Sequence, residues 1–465
     1  MAEFILGNPP KWEIIKLYLM SEYTAASRAL STDFVELQSL VTFSSGGTPS
    51  KQNSDYWGGN HPWVSAKDLK RTVITETVLQ LTDKGFNVAK LAPKGALLVL
   101  VRGMTLFKNV PICMAGCELS FNQDIKALVV GSSVIEKYLL YYLQGNRSGL
   151  MNLVDSAGHG TGRLNTELLK AFAVRVPPLP EQKAIAGVLE TWDGGIRQLE
   201  AKIAAKRRVK KGLMQELLSG KRRLPGFDPA SEPVDTLEIP QGWRLVKLGD
   251  IFRFLQSHAF SRDNLTTAPA TGVAGVFNIH YGDIHATYEG PLLDLQQEAR
   301  VPRIKILDQL PTRAEMLEDG DLVMADASED HAGVGACVEL VNLQGQKVTG
   351  GLHTFVLRDV SKETVLGFRG YLFQEYHLAK ELKRISTGAS VYGISKTNLA
   401  KVLLTVPPLE EQKAIVKVLN AADRELDALE RKLKNWKVQK KYLLYNLVDG
   451  TIRLPEFIEP KSLKC

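Results

Sequence analysis

Two sets of acidic residues with a nearby lysine are the first groups in this 465-residue sequence with the makings of an active site. Asp193, Glu200 and Lys202 follow a D…ExK spacing, and Asp423, Glu430 and Lys432 repeat it. On adjacent strands such a set can hold a magnesium ion for phosphodiester hydrolysis. A second candidate is NPPKW at 8–12. It approaches the Asn-Pro-Pro-aromatic loop that holds an adenine amino group while the aromatic stacks on the flipped base. Lys11 stands where the aromatic belongs, and no strand–GxG–helix cofactor site follows. SGKRR at 219–223 lacks the earlier glycine and the Ser/Thr of a phosphate loop, and GHGTG (158–162) and GVGAC (333–337) have no nucleotide-binding context. The eight histidines show no metal-ligand spacing. We therefore expect no catalytic residue and no metal site.

The elements around the acidic sets explain them better. Residues 177–227 align without a gap on 407–457, with 23 of 51 positions identical. Both copies open on Pro-Pro-Leu and a Glu-Gln-Lys-Ala-Ile run, and both close on Gly-x-x-Arg-Leu-Pro-x-Phe, from Gly220 and Gly450. Inside them the apolar residues keep a heptad: Ile196, Leu199, Ile203, Leu213 and Leu217 in the first, Leu426, Leu429, Leu433, Leu443 and Leu447 in the second. That period specifies a coiled-coil seam, and a helix of this length cannot bury its seam alone. With Ile196 and Leu426 at position a, the carboxylates of the D…ExK sets fall at e and their lysines at g, where charges set pairing and register. Pro180 and Glu181 suit a first helical turn, and Gly220 and Gly450 supply the stops. Gly194-Gly195, replaced by Arg424-Glu425 in the second copy, predicts a local irregularity in the first helix only.

The sequence divides into an N-terminal segment 1–30, a globular part 31–178, a helix 179–220, a linker 221–240, a second globular part 241–408, a helix 409–448 and a tail 449–465. Both globular parts mix β-rich runs (ALLVLV at 96–101, GDLVMADASED at 320–330) with helical stretches such as IEKYLLYYLQG at 135–145. The fold class is α+β: two such globular domains of mixed strand and helix and two long coiled-coil helices, with an internal repeat. Apolar residues make up 44% and charged residues 23%, the balance of a globular chain, and no run reaches membrane-spanning length. Four cysteines without paired spacing (Cys113, Cys117, Cys337, Cys465) and no secretory signal point to free thiols and a cytoplasmic location. The net charge is +7, and ten Lys or Arg fall between Arg197 and Arg223 against two acidic residues. Arg207, Arg208, Lys210 and Lys211 from that run are expected to contact an anionic or protein partner.

The whole pattern resembles the specificity subunits of type I restriction–modification systems. SGGTPSKQNSDYWGGNHPWVSAKDL at 45–69 is similar to the entry of a target-recognition domain. FNQDIKAL (121–128), GDLVMADASED and GGLHTFVLR (350–358) are similar to recurrent family segments, and the duplicated VPPLxEQKAI helices to the family's two spacers. FLQSHAFSRDNL in the second domain departs from FSSGGTPSKQNS in the first, which implies a different half-site. The resemblance implies two target-recognition domains separated by two long antiparallel coiled-coil helices with a pseudo-two-fold repeat, in a non-catalytic subunit that reads a bipartite double-stranded DNA site with a non-specific spacer, in DNA modification and defence against foreign DNA. It also implies two methyltransferase subunits and restriction/translocase subunits as partners, which would bring S-adenosylmethionine, ATP and Mg. The alternatives are a self-sufficient DNA modification enzyme and a coiled-coil scaffold without a DNA function.

Recognition needs cations for phosphates and side chains for base edges. The candidate DNA contacts in the first domain are Ser50, Lys51, Trp63, Ser65, Lys67, Gln123, His159 and Arg163. Those in the second are His258, Arg262, His280, Tyr281, His331, Lys383, Arg384, Ser390, Tyr392 and Lys396. The glycine-rich loops SAGHGTGRLN (156–165) and STGASVYGIS (386–395) would permit close approach of backbone to phosphate. The duplicated helices would act as a ruler for the spacer. Removing one heptad from both, 197–203 and 427–433, keeps the seam in phase and shortens each helix by about 10 Å. That corresponds to about three base pairs of duplex. Methylation mapping should then show a shorter spacer or no modification, with the half-site bases unchanged. Normal methylation at the original spacing would refute the ruler.

Overall fold

The computed structural model describes residues 34–157, 160–227, 239–268, 275–305, 310–331 and 333–458. NPPKW, the 1–30 segment, Cys465 and linker residues 228–238 lie outside them. Two long helices dominate: a first arm, Leu179–Leu218, and a second arm, Leu409–Asp449. At 1.5 Å per residue each is about 60 Å long. Of the heptad residues, Ile196, Leu199, Ile203, Leu217, Leu426, Leu443 and Leu447 are buried, and Leu213, Leu429 and Leu433 are half-buried. Both arms stop alike. Gly220 (φ +71°) and Gly450 (φ +85°) take the left-handed conformation that costs other residues strain. Just beyond them, Arg222 N–H donates to the Glu216 carbonyl and Ile452 N–H to that of Asn446.

The described residues form two compact units, those within 1–201 and 430–465, and those within 202–429. In the first, a five-stranded sheet has the order 41–45, 125–130, 97–100, 112–115, 73–74, antiparallel except for its last pair. The second repeats that order with 252–255, 354–359, 322–325, 337–341 and 292–294, again parallel only at the last pair. The apolar runs are the central strands: Leu97–Leu100 and Leu322–Ala325 are buried at every residue. The duplication seen in the arms therefore extends into the domains, where side-chain identity no longer shows it.

Each unit builds its core from its domain and from both arms. In the first, Leu97, Tyr138 and Leu139 cluster with Ile185 and Leu189 of the first arm and with Leu447 and Val448 of the second. In the second, Leu322, Phe368 and Tyr371 cluster with Leu217 and Leu218 and with Ile415 and Leu419. Within each unit the arms run antiparallel. Asp193 meets Lys440 and Glu200 meets Lys437 in one; Lys206 meets Glu425 and Lys210 meets Asp423 in the other.

The expected irregularity at Gly194-Gly195 does not occur; the first arm is α-helical throughout. The reason lies on the facing arm. A Cβ on Gly195 would come within 3.0 Å of the Trp436 ring, which also meets Trp192 edge-on at 6.0 Å. Glycine here is a packing requirement of an indole and does not mark a break. A Cβ on Gly194 would meet nothing within 4 Å.

The start of each arm holds a buried carboxylate. Glu181 and Glu411 are each 1% exposed, beside Gln182 and Gln412. Glu181 accepts from Arg453 at 2.6 Å and from Arg175 at 3.2 Å. Glu411 is gripped by Arg223 through two bonds of 2.5 and 2.7 Å and by the Trp243 indole N–H at 2.9 Å. Gln182 accepts from Ile135 N–H and donates to the Pro177 carbonyl; Gln412 does the same with Val365 and Pro407. Glu181 is thus more than a dipole-complementing first-turn residue.

Two outcomes follow for stability. Glu411→Ala strands Arg223 in a buried site and should destabilise the second unit by about 3–5 kcal/mol. A shift in urea unfolding monitored by tryptophan fluorescence measures it; a loss below about 1 kcal/mol, the range of exposed pairs, would contradict the clasp. Gly194→Ala should stabilise the first arm by about 1 kcal/mol through helix propensity, and Gly195→Ala by clearly less. Equal gains would remove the packing explanation.

Candidate nucleic-acid interface

In the first domain the loop after strand Val41–Ser45 is held by two tryptophans. Trp57 Nε1–H donates to the Ser50 carbonyl and Trp63 Nε1–H to that of Gly47, both at 3.1 Å, and the rings meet edge-on at 5.2 Å. Trp63 is buried with its one donor used, so it supports the loop and offers no surface to DNA. That corrects its place among the candidate contacts. The loop presents Ser50 and Lys51 as exposed side chains, and Thr48 Oγ1 donates to exposed Gln123 at 2.8 Å. Ser65 is engaged by Asp68, which takes its backbone N–H and its hydroxyl, both at 2.8 Å, while Lys67 is exposed. Arg163 is exposed on strand Thr161–Leu164, directly across from Arg102. His159 lies outside the described residues.

The second domain gathers histidines and aromatics. His280 caps the helix Tyr281–Ala286, its Nδ1 accepting from Gly282 N–H at 3.1 Å. It is buried, and desolvation with the nearby Arg262 charge holds its pKa below the ordinary value. Arg262 itself is locked in a two-pronged pair with Asp283 at 2.9 and 2.8 Å. His258 is buried too, its backbone N–H donating to the Gly350 carbonyl, and burial lowers its pKa. His258 and His280 are therefore neutral frame residues, and two of the expected contacts are corrected on that ground. Tyr281 is half-buried within ring contact of His280 (4.7 Å), His353 (5.4 Å) and His285 (6.2 Å). His353 holds a left-handed φ of +51° and faces Asp326 at 3.3 Å; burial raises the Asp326 pKa. Exposed His331 meets Tyr392 edge-on at 5.0 Å.

Tyr392–Gly393 pairs with Ala327–Ser328, in the same relation as Gly162–Arg163 with Arg102–Gly103 in the first domain. One ladder thus carries two arginines in the first domain and a tyrosine with a histidine against it in the second. Of the remaining candidates, Lys383 and Arg384 sit in the last turn of helix Tyr376–Ile385, with Arg384 paired to Glu381 at 2.6 Å. Ser390 is exposed, and Lys396 lies 4.8 Å over the Phe254 ring. Arg102, His285, His353 and Asp326 were missed. Their places follow from strand pairing and from one unusual φ, which no local pattern announces.

The acidic sets are occupied on the arms. Asp193 accepts from the Tyr141 hydroxyl at 2.8 Å and from Lys440 at 2.5 Å; Asp423 accepts from Tyr371 at 2.5 Å and from Lys210. Glu200 pairs with Lys437, and Lys432 lies 4.9 Å over the Trp436 ring. Lys210 therefore belongs to arm pairing, which corrects its assignment to the partner-binding run; Arg208 and Lys211 stay exposed. Among the described residues no cluster of three or more His, Cys, Asp or Glu could hold a metal ion, and no helix is long and apolar enough to cross a membrane.

Comparison with known proteins places this frame. Residues 31–206 and 240–436 match the type I restriction modification DNA specificity domain. A putative type I restriction enzyme MjaX specificity subunit from Methanocaldococcus jannaschii is 26% identical over 438 residues, 90% of this chain and 93% of that one. The Escherichia coli EcoR124I/EcoR124II specificity subunit is 28% identical over 151 residues, 32% of this chain and 37% of its own length. The crystal structure of a type I restriction–modification S subunit from M. genitalium shares the fold with a TM-score of 0.53 at 15% identity, covering 91% of this chain and 98% of that one. With the family matched over both domains and much of both arms, the chain belongs to the type I restriction modification DNA specificity domain family and is a specificity subunit of that class.

Proposed function

We propose that this chain reads a bipartite double-stranded DNA site with a non-specific spacer, one half-site per domain, and performs no chemistry itself. Two methyltransferase subunits and restriction/translocase subunits would assemble on it in the cytoplasm and supply S-adenosylmethionine, ATP and Mg. The observation that carries this reading is the contrast between frame and face. The two domains repeat one strand order, yet at the same ladder one offers arginines and the other Tyr392 with His331. Paired frames with unlike faces suit the reading of two different sequences. Surface cations would set affinity and orientation, and the side chains on base edges the sequence. Ser50, Lys51, Lys67, Gln123 and Arg163 are the contacts we propose for the first half-site, and Tyr281, His331, Ser390, Tyr392 and Lys396 for the second.

Exchange of 31–178 for the corresponding domain of a relative tests this in cells that carry the complete system. Methylation mapping should show one half-site changed and the other kept, since each well-placed side chain carries roughly 1–3 kcal/mol of base discrimination. A simultaneous change in both half-sites would refute independent reading.

A further inference from the structure

Arg102 and Arg163 are direct cross-strand partners, so their side chains share one face of the three-stranded ladder formed by 154–157, 161–164 and 102–103. Both are exposed. Like charges directly opposite one another destabilise a sheet. Asp155, across from Arg163 on the outer strand, offsets one of the two charges without forming an ion pair with either arginine. The ladder therefore keeps an unneutralised positive charge that an anion would relieve.

The chain leaves this ladder through a short turn, Met104–Phe107, whose side chains divide sharply. Leu106 is 1% exposed and anchors the turn in the core, while Met104 is 73% and Phe107 49% exposed. Gly162 lets the turn lie close, because a Cβ there would come within 2.9 Å of Leu106 Cβ. Exposed Lys108 follows. The result is an apolar knob anchored by Leu106, with exposed cations next to it in the chain, Arg102 and Lys108, and across the ladder, Arg163. An apolar protein surface would have no use for these cations, whereas the edge of a duplex presents phosphates around stacked bases. Apolar side chains that enter between base steps unstack them and kink the helix, with flanking cations on the phosphates. Among the described residues the second domain has no counterpart: Ala327 and Gly393 stand at the positions of Arg102 and Arg163, and Glu329 and Asp330 come next in the chain.

We propose that Met104 and Phe107 form a wedge with which the first domain opens a base step in its half-site, while Arg102 and Arg163 seat the neighbouring phosphates. This rests on the DNA-reading function proposed above and adds a deformation confined to one half-site.

The test uses the full chain assembled with its methyltransferase subunits, on duplexes that carry the site found by methylation mapping. The base analogue 2-aminopurine replaces adenines of each half-site in turn, leaving out the adenines found methylated, which the methyltransferase subunits flip out themselves. Binding should raise its fluorescence at one step of the first half-site and nowhere in the second. The double substitution M104A/F107A should abolish that rise, and M104L should keep it. R102Q/R163Q should lower the slope of log affinity against log salt by about 0.9 per lost phosphate contact. Sequence-specific binding without any fluorescence rise in the first half-site would overturn the wedge and leave the function standing. Absence of sequence-specific binding by the unaltered complex would overturn both. If M104A/F107A instead releases the methyltransferase subunits while assembled complexes keep the rise, the knob is a protein contact and the proposal is wrong.

Discussion

A carboxylate buried at the start of each arm, clasped by an arginine from just beyond the end of the other, is the constraint on which the rest of the structure depends. Glu181 is held by Arg453 and Glu411 by Arg223. A buried charge is tolerable only when it is paired and hydrogen-bonded. The opening Pro-Pro-Leu-x-Glu-Gln motif and the closing Gly-x-x-Arg-Leu-Pro motif are therefore two halves of one interaction. Because it occurs once in each unit, both motifs must occur twice. The neighbouring glutamines extend the anchor into the domains, Gln182 to Ile135 and Gln412 to Val365, so that each domain is tied to the arm that follows it.

A second tier of contacts repeats in the same way. Tyr141, Asp193 and Lys440 join a domain helix to both arms in the first unit, and Tyr371, Asp423 and Lys210 do so in the second. Where the two units differ, they solve one packing problem with different chemistry. Trp436 lies against the backbone of Gly195 in one; in the other, the equivalent positions are Lys206 and Glu425, which form an ion pair at 2.9 Å. The indole contact excludes water and requires a glycine. The ion pair is half-exposed and contributes little net stability. A frame with such redundancy can hold recognition loops that share no sequence.

The faces that the frame presents obey different rules. In the first domain the indole donors are consumed inside the loop, leaving short polar side chains and unpaired cations outside. In the second, arginine is neutralised by Asp283, and rings carry the surface. Phosphate attraction is the same for every sequence, whereas the polar edges of exposed rings would discriminate between bases through hydrogen bonds. The two half-sites would accordingly be held by different balances of charge and shape.

The sequence by itself determined the duplication, the heptad seam, the glycine stops and the central strands, because each is written in the spacing of residues a few positions apart. It also sufficed to dismiss the D…ExK sets, since their heptad positions put them beside a seam. Only the tertiary structure decided which partners those residues take. The reason for Gly195 is a tryptophan 241 positions later, and the partner of Glu181 is an arginine 272 positions later. Local periodicity carries no information about either. Trp63, His258 and His280 look like surface recognition residues in the sequence, yet they are buried in the folded domains. Arg102 looks like the end of a buried strand, and only its pairing with Arg163 sets it on an exposed basic face. Burial and charge neighbourhood are properties of segments that meet in space, and no residue spacing along the chain encodes them.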